Sequence, residues 1–189
     1  QLEPLNAALT FNEYGDPFQE SIDDFTLSPS GELLAGRAWF DYGFGVWDLT
    51  VDSNIVTQLE DQPLSVADLA FSADGRLLAT GELWPLGGWV GPERGGLRLW
   101  QIDGDVVSLF RTSELKQYVG AVAFSTGSPL LAVGYSSGDI NLINVQENRY
   151  VSRLETVSGV TGLAFGGNGR LLAATTRDGL THIWQTDSP

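Results

Sequence analysis

A short strand–turn–strand pattern occurs four times in the chain and limits the folds open to it. The clearest copy is Leu69–Gly81, LAFSADGRLLATG, in which Asp74-Gly75 is a turn dipeptide between two apolar runs. The Leu-Leu-Ala triplets begin at residues 33, 77, 130 and 171, with periods of 44, 53 and 41 residues. The apolar residue that ends each first strand stands at 27, 71, 124 and 165, with the same three periods. Two markers with one set of spacings indicate a structural repeat.

The short apolar runs between Gly-rich turns predict strands rather than helices. Up to four strands are expected in each repeat. The predicted strands are Ile22–Ser28, Leu33–Phe40, Phe44–Leu49 and Asn54–Glu60, then Val66–Ser72, Leu77–Leu83, Leu97–Ile102 and Val106–Thr112, then Val119–Ser125, Leu130–Tyr135, Ile140–Val145 and Arg149–Glu155, and finally Val160–Phe165, Leu171–Thr176 and Thr181–Thr186. The last repeat is one strand short, while Leu5–Phe11 is a spare strand followed by a loop. We expect Leu5–Phe11 to pair with the strand that holds Trp184, because ring closure removes exposed sheet edges.

The repeated residues resemble WD40-repeat β-propellers over nearly the whole chain, roughly residues 21–186. The shared pattern is [VI]-x-x-[LVF]-x-[FL]-[SG]-x-x-[GS], then Leu-Leu-Ala, then an apolar residue and Trp about 11 residues later. Trp47, Trp100 and Trp184 occupy the Trp position, and Ile143 fills it in the third repeat. The resemblance implies an all-β fold of blades, each with four antiparallel strands, around a central axis. The four blades are expected at about 21–61, 62–114, 115–156 and 157–189, with residues 1–20 closing the last blade.

The chain departs from the family pattern in its motifs and in its number of repeats. The family's Gly-His pair is absent, and its Trp-Asp pair survives only as Trp47-Asp48. The resemblance therefore implies that the family's His-Asp-Ser/Thr-Trp hydrogen-bond network does not form in its usual shape. The family usually builds seven or eight blades, whereas this chain has four repeats. Three architectures fit: a small four-bladed ring, half of an eight-bladed ring completed by a second copy or another chain, or a segment of a longer protein. The last two are favoured.

Charge and composition argue against several classes of partner. The chain has 10 basic and 24 acidic residues and a net charge of −14, which disfavours nucleic acid. The acidity is expected mainly to confer solubility, and the alternative is that it steers a basic or cationic partner. No apolar run approaches the roughly 20 residues that a membrane span needs. The absence of Cys excludes disulfides and thiolate metal sites. No basic-then-apolar leader is visible, and a Met-free chain that starts at Gln1 is expected to be processed or cut from a longer product.

The loops that join strands are the predicted binding surface. The second repeat is longer than the others by about ten residues, which fall between Leu83 and Gly95. This loop joins a second strand to a third, so it should lie at the same end as the loops that enter each first strand. Aromatic residues cluster in these loops, and Trp and Tyr often anchor protein interfaces. The predicted partner-binding residues are Tyr14, Phe18, Trp84, Trp89, Glu93, Arg94 and Tyr118. The alternative is that Trp84 and Trp89 fold back onto their own blade.

Few residues have the type and spacing that catalysis or metal binding requires. Asp24 and Asp68 occupy equivalent positions on neighbouring first strands, where they could bind a cation, but this position is expected mainly to satisfy backbone donors. His182, the only histidine, is expected as a satisfied strand residue in register with Arg98 and Asn141. No nucleophile elbow is present, and no Gly pair precedes a helix that could hold a phosphate. We therefore expect no catalytic residue, metal or cofactor.

The sequence favours a non-catalytic interaction scaffold that presents blade loops to a protein partner or co-subunit, with a homo-oligomer as one way to complete the ring. The alternative is an enzyme or binder of a small ligand or cation in the axial channel. A third interpretation is a structural part of a large assembly. The partner and the compartment are not specified by the residues, and the step from fold to scaffold is an analogy.

Overall fold

The computed structural model describes residues 22–38, 44–50, 66–82, 95–103, 106–115 and 117–186, with only the backbone of 106–115. These residues form fourteen strands in four antiparallel sheets and contain no helix. The predicted all-β class is therefore confirmed. The described residues form no helix that could span a membrane.

Each sheet is built from strands that are consecutive in the chain and pair with their neighbours in order. Sheet 1 holds β1 (Ile22–Leu27), β2 (Leu33–Ala38) and β3 (Phe44–Asp48). Sheet 2 holds β4 (Val66–Phe71), β5 (Leu77–Glu82), β6 (Gly95–Asp103) and β7 (Val106–Leu115). Sheet 3 holds β8 (Val119–Phe124), β9 (Leu130–Tyr135), β10 (Asp139–Asn144) and β11 (Arg149–Glu155). Sheet 4 holds β12 (Val160–Gly166), β13 (Leu171–Thr176) and β14 (Thr181–Gln185).

The predicted strands agree closely with the structure wherever it describes them. Leu130–Tyr135, Arg149–Glu155 and Leu171–Thr176 have the predicted bounds, and the others differ by one to three residues at an end. The predicted strands Leu5–Phe11 and Asn54–Glu60 lie outside the described residues. The closure of the last sheet by Leu5–Phe11 therefore stays a prediction.

A serine at the end of the first strand helps to form the tight turn of each hairpin in sheets 1 and 2. The Ser72 hydroxyl accepts a hydrogen bond from the backbone N–H of Leu77 at 2.9 Å and donates to the Asp74 carboxylate at 2.6 Å. The Ser28 hydroxyl likewise accepts from the backbone N–H of Leu33 at 3.0 Å. Each serine thus satisfies a turn donor that would otherwise lack a protein partner. This is the physical basis of the repeated Ser before Leu-Leu.

The sheets pack face to face in chain order. We call the face that meets the preceding sheet the front face and the face that meets the following sheet the back face. Small or branched residues on a back face meet larger apolar residues on the next front face, and three buried clusters fill the three interfaces. The back-face residues are Ala35 and Val46 in sheet 1, Ala79 and Leu99 in sheet 2, and Ala132 and Leu142 in sheet 3. The front-face residues include Leu69, Phe71, Leu78 and Trp100 in sheet 2, Val122, Leu131 and Val133 in sheet 3, and Leu172 and Ala174 in sheet 4.

Glycine in a second strand lets the next sheet approach closely. A Cβ at Gly81 would stand 2.6 Å from Val119 Cγ1, and a Cβ at Gly134 would stand 2.5 Å from Val160 Cγ1. Val119 and Val160 are the first residues of sheets 3 and 4. The same Gly–Val contact therefore recurs at two successive interfaces.

The four sheets are arranged around a shared centre. The first strands β1, β4, β8 and β12 line one cavity of about 350 Å³. Sheet 1 packs on sheet 2, sheet 2 on sheet 3, and sheet 3 on sheet 4. Among the described strands, sheet 4 makes no comparable contact with sheet 1. The described strands thus form an arc that is open between sheets 4 and 1.

The turns generate a prediction about Gly31, which has φ of +75° and nothing within 4 Å of an added Cβ. Because L residues are disfavoured at this φ, Gly31→Ala should lower the free energy of unfolding by about 1–2 kcal/mol. Gly166→Ala is the matched control, since an added Cβ there also meets nothing within 4 Å and its φ is ordinary. Urea denaturation should show no loss for Gly166→Ala. Equal effects of the two substitutions would contradict the proposed turn geometry.

Candidate interaction surface

In sheets 3 and 4, the loop that enters the first strand and the turn that joins the second strand to the third lie at the same end, as the sequence predicts. The backbone N–H of Ser136 donates to the carbonyl oxygen of Tyr118 at 3.0 Å. The backbone N–H of Thr156 donates to the carbonyl oxygen of Gly138 at 2.9 Å. We call this end the loop face and define it by residues 117–118, 136–138, 156–159 and 177–180.

Backbone hydrogen bonds connect the loop face from one sheet to the next. The backbone N–H of Arg177, in the turn of sheet 4, donates to the carbonyl oxygen of Gly159 at 2.9 Å. The Thr156 hydroxyl donates to the carbonyl oxygens of Gly138 and Ser158, both at 2.8 Å. These bonds satisfy backbone groups and hold neighbouring loops in fixed relative positions. The described loops therefore form a connected surface on a rigid support.

Three apolar side chains project from the described part of the loop face. Tyr118 is 39% exposed, Val157 is 89% exposed and Leu180 is 52% exposed. They belong to three different loop segments, one before sheet 3, one before sheet 4 and one within sheet 4. Large exposed apolar side chains grouped at one end of a protein indicate an interaction surface.

Charged residues flank these apolar groups. Arg153 Nη2 lies 2.7 Å from Asp139 Oδ1 and 3.3 Å from Glu155 Oε1. The hydrogen bond from Arg153 is the main cause of the lowered pKa of Asp139. Next to Leu180, the Thr176 hydroxyl donates to Asp178 and lowers the pKa of that carboxyl. Both carboxylates are therefore ionised at neutral pH at this end of the sheets.

The structure describes the position of one of the seven predicted binding residues. Tyr118 lies on the loop face, next to the first residue of β8, and is exposed. The other six, Tyr14, Phe18, Trp84, Trp89, Glu93 and Arg94, lie outside the described residues. Val157 and Leu180 were not predicted. In the sequence, each of them is a single apolar residue in an otherwise polar turn. Composition alone does not distinguish such a residue from an ordinary surface residue.

Asp68 connects sheet 2 to sheet 3 near the centre. Its Oδ1 accepts from the backbone N–H of Leu69 at 2.9 Å, and its Oδ2 accepts from the backbone N–H of Val122 at 2.8 Å. The prediction that this position satisfies backbone donors is confirmed for Asp68. Asp24 accepts from the backbone N–H of Phe25 at 3.0 Å, and its other oxygen lies 3.7 Å from Arg37 Nε. Both carboxylates thus have structural partners.

Burial raises the pKa of Asp68, while the hydrogen bonds from Val122 and Leu69 act in the opposite direction. The nearby Asp24 carboxylate also raises this pKa, and Arg37 lowers it. The ionised form of Asp68 is therefore less favourable in the folded protein than in water. The described residues contain no group of three or more His, Asp or Glu side chains that could hold a metal.

His182 lies in the middle of β14, as predicted, but its surroundings differ from the prediction. His182 pairs with Ala174 on the neighbouring strand. Arg98 and Asn141 occupy the equivalent positions in sheets 2 and 3, where they pair with Thr80 and Val133. Its ring stacks on Trp184, with centroids 5.7 Å apart. Its Nε2 is buried and has no hydrogen-bond partner, so the prediction of a satisfied histidine is wrong.

Part of the family's hydrogen-bond network is present in sheet 2. Trp100 Nε1 donates to the Thr80 hydroxyl at 3.1 Å, and both side chains are buried. The matching second-strand positions hold Gly36, Val133 and Ala174, which carry no side-chain acceptor. Among the described residues, the Trp–Thr bond of the network is therefore present in sheet 2, and the equivalent second-strand side chains of the other three sheets offer no acceptor for it.

A second cavity lies at the opposite end of the sheets, between sheets 1 and 2. Its volume is about 520 Å³. The charged residues of its lining are Glu32, Asp48, Asp74, Arg76 and Asp103. The Asp48 carboxylate accepts hydrogen bonds from the hydroxyl and the backbone N–H of Thr50, which lower its pKa. The hydroxyl of Ser72 lowers the pKa of Asp74 in the same way. These two carboxylates therefore stabilise local turns.

Comparisons with known proteins identify the type of repeat. The WD40 family model, described as WD domain, G-beta repeat, matches residues 150–185. This segment runs from β11 to the end of β14. One sequence repeat therefore joins the last strand of a sheet to the first three strands of the next.

The chain is also similar to the solved structure titled "Structure of U3-55K", with a TM-score of 0.69 and 20% sequence identity over 89% of this chain. The chain spans 50% of the length of that chain. No curated protein matches this chain. The chain carries a WD40 repeat and has the fold of WD40 propeller blades, which confirms the predicted resemblance. Because 1279 chains of solved structures match it, the fold by itself does not specify a ligand.

The environment of Asp68 predicts a distinct pH dependence of stability. Since its folded-state pKa is raised, the folded state binds the proton more readily than the unfolded state, and stability falls as pH rises from about 4 through the folded-state pKa. The difference in unfolding free energy between wild type and Asp68→Asn should therefore decrease between about pH 4 and 7. Urea denaturation of both proteins at several pH values measures this difference.

Asp178→Asn is a control of opposite sign for this measurement. The pKa of the Asp178 carboxyl is lowered in the folded wild type, so the contribution of this carboxylate to the free energy of unfolding is lost only as pH falls below about 4. A wild-type advantage over Asp68→Asn that stays flat or grows between about pH 4 and 7 would contradict the assigned environment of Asp68.

Proposed function

We propose that the chain is a non-catalytic interaction scaffold that presents its loop face to a protein partner or co-subunit. The observation that carries the proposal is the exposure of Tyr118, Val157 and Leu180 on adjoining loops of one end. WD40 proteins generally bind protein partners, which supports the same function. The proposal includes Trp84, Trp89, Glu93 and Arg94 in the long loop between β5 and β6, and Tyr14 and Phe18 before β1.

The rigid attachment of the loops supports tight binding. Loops 136–138, 156–159 and 177–180 are linked by backbone hydrogen bonds across sheets 3 and 4. A surface that is already ordered loses little conformational entropy when a partner binds. Exposed aromatic and aliphatic groups supply contact area, and the rim of Arg and Asp side chains supplies orientation.

The charge of the chain supports a basic partner. A net charge of −14 attracts cationic proteins and accelerates their diffusional encounter. The proposed complex therefore combines long-range electrostatic attraction with a short-range apolar contact. Raising the salt concentration should slow association because it screens the first of these two contributions.

The axial alternative has less support from the described residues. A cation or substrate in the central cavity would use Asp68 and Asp24, but both oxygens of Asp68 already accept backbone hydrogen bonds. Asp24 lies beside Arg37, which is itself a competing cation. WD40 propellers are also generally non-catalytic. The function proposed for the chain is therefore binding rather than catalysis.

Site-specific photo-crosslinking tests where the partner binds. A photoreactive amino acid at position 157 on the loop face should yield covalent adducts with the partner in cells that express the chain. The control is position 151, a valine on the outer strand β11 that is 40% exposed and lies away from the loop face. Adducts at position 151 but not at position 157 would place the binding surface elsewhere.

Substitution of the two loop tryptophans tests the long loop separately. Trp84→Ala and Trp89→Ala should each weaken affinity for the cross-linked partner about 10- to 30-fold, because buried Trp anchors carry much of the binding energy of an interface. Val151→Ala should leave affinity unchanged. Unchanged affinity in both Trp variants would remove this loop from the binding surface.

A further inference from the structure

We propose that Arg177 on the loop face binds a carboxylate of the protein partner, an Asp or Glu side chain that lies beside an apolar residue. This inference rests on the proposed function, because it names the chemical group that the loop face recognises. Its starting point is an exposed arginine without a described partner, at the end of the sheets where apolar side chains are also exposed.

Arg177 lacks the acidic neighbour that four other described arginines have. Ion pairs among the described residues join Arg37 to Asp24, Arg98 to Glu82, Arg149 to Glu147, and Arg153 to Asp139 and Glu155. The side chain of Arg177 makes no ion pair and no hydrogen bond with a described residue, although the chain has 24 acidic residues and only 10 basic ones. Its guanidinium donors therefore have no acceptor in the part of the chain that the structure describes.

The backbone around Arg177 fixes the place from which its side chain projects. The N–H of Arg177 donates to the carbonyl oxygen of Gly159 at 2.9 Å, and the N–H of Gly179 donates to the carbonyl oxygen of Thr176 at 2.9 Å. A Cβ at Gly159 would stand 3.4 Å from Arg177 Cδ, so the aliphatic part of the arginine lies over the Gly159 backbone. The stem is thus packed, and the residue as a whole stays exposed.

The equivalent pair of residues in sheet 3 has the reverse arrangement of large and small side chains. There the N–H of Ser136, in the turn, donates to the carbonyl oxygen of Tyr118 in the entering loop. In sheet 3 the large side chain belongs to the entering loop, whereas in sheet 4 it belongs to the turn, next to Gly159. Each pair thus presents one large side chain on the loop face, Tyr118 or Arg177. Both residue types are enriched among the hot spots of protein interfaces.

The apolar neighbours decide what the arginine needs when a partner binds. Val157 precedes Gly159 in one loop segment, and Leu180 follows Arg177 in the other. A partner that covers these two exposed side chains also covers the guanidinium, because the arginine stem joins the same two segments. A charge that is buried without a partner at an interface weakens binding. The protein that binds here must therefore supply the anion.

A carboxylate fits this position better than a phosphate does. One guanidinium offers two parallel N–H donors, which match the two oxygens of a carboxylate and balance its single charge. A phosphate carries about two negative charges, and Asp139, Glu155 and Asp178 at this end of the sheets would repel it. Arg153 offers no second free cation, because it already pairs with Asp139 and Glu155. The position therefore suits an Asp or Glu side chain.

The sign of the charge effect separates a direct ion pair from the general field of the chain. Arg177→Gln removes a positive charge from a chain whose net charge is −14. If Arg177 acted only through the field, this variant would attract a basic partner more strongly and associate with it faster. The proposed ion pair predicts the opposite result, a weaker complex that dissociates faster.

The protein captured by photo-crosslinking at position 157 is the probe that tests the proposal. It is purified, and its affinity for the chain is measured by biolayer interferometry. Arg177→Gln should lower the affinity about 10- to 30-fold. Arg177→Lys should retain part of the affinity, because an ammonium group keeps the charge but not the two parallel donors. Both variants should unfold at the wild-type temperature, since the Arg177 side chain has no described partner to lose.

Arg170→Gln is the matched control. Arg170 is an exposed arginine of the same sheet, but it lies in the hairpin turn at the opposite end, where its Nε donates to the carbonyl oxygen of Gly167 at 3.0 Å. This variant loses the same charge as Arg177→Gln and should not weaken binding.

A charge exchange tests the direct contact. Arg177→Glu should lose binding, and replacement of one Asp or Glu by Arg in the cross-linked segment of the partner should restore affinity at least about 10-fold. Wild-type or tighter binding by Arg177→Gln would overturn this inference and leave the proposed function intact. Failure of every such exchange to restore binding would overturn it as well. The absence of any adduct at position 157 would overturn the proposed function, and this inference with it.

Discussion

The packing of each sheet's back face against the next sheet's front face is the constraint on which the structure depends. Small residues on one side meet larger residues on the other, and this allows neighbouring sheets to approach to a common distance. The approach is close where Gly81 faces Val119 and where Gly134 faces Val160, since no Cβ could fit there without movement. The same Gly–Val contact thus recurs between sheets 2 and 3 and between sheets 3 and 4.

The loop face follows from this packing. When adjacent sheets are held at a fixed distance, the backbone groups of their loops come within hydrogen-bond reach, as Arg177 and Gly159 show. Asp68 adds a polar link between sheets 2 and 3 at the inner edge, at the cost of a partly buried carboxylate. The support is therefore rigid, and exposed apolar groups such as Val157 keep fixed positions on it. Such a surface suits recognition of a partner more than chemical catalysis.

Much of the fold could be predicted because hairpins are local structures. A short turn before each Leu-Leu-Ala, of the form Ser-x-x-Gly in sheets 1 and 2, separates the first strand from the second, and three strands were predicted with their observed bounds. Contacts between sheets were harder to predict, because they join residues that are far apart in the chain. The partner of Asp68 is Val122, 54 residues away, and the sequence indicates only that some backbone donor is needed. The Trp100–Thr80 bond was missed since no single repeat contains the complete motif.

The candidate site was predicted less completely than the fold. Aromatic content led to Tyr118 as a predicted binding residue but not to Val157 or Leu180, which become candidates only through their exposure and position. The unpaired Nε2 of His182 was missed because the sequence shows neither the burial of this atom nor the stacking of the ring on Trp184. The exposure of Ile183 on the back face of sheet 4 was not visible either. It emerges only when equivalent rows such as Ala132–Leu142 and Ala173–Ile183 are compared for burial.

A double-mutant cycle between Gly134 and Val160 tests the packing of the sheets most directly. A Cβ at Gly134 would stand 2.5 Å from Val160 Cγ1, so Gly134→Ala should lower the free energy of unfolding by about 1–3 kcal/mol. In a Val160→Ala background the nearest obstructing atom, Cγ1, is gone and only the Cβ at 2.9 Å remains, so the same substitution should cost at least about 1 kcal/mol less. Costs that add to within about 0.5 kcal/mol would contradict direct contact between sheets 3 and 4 at this point.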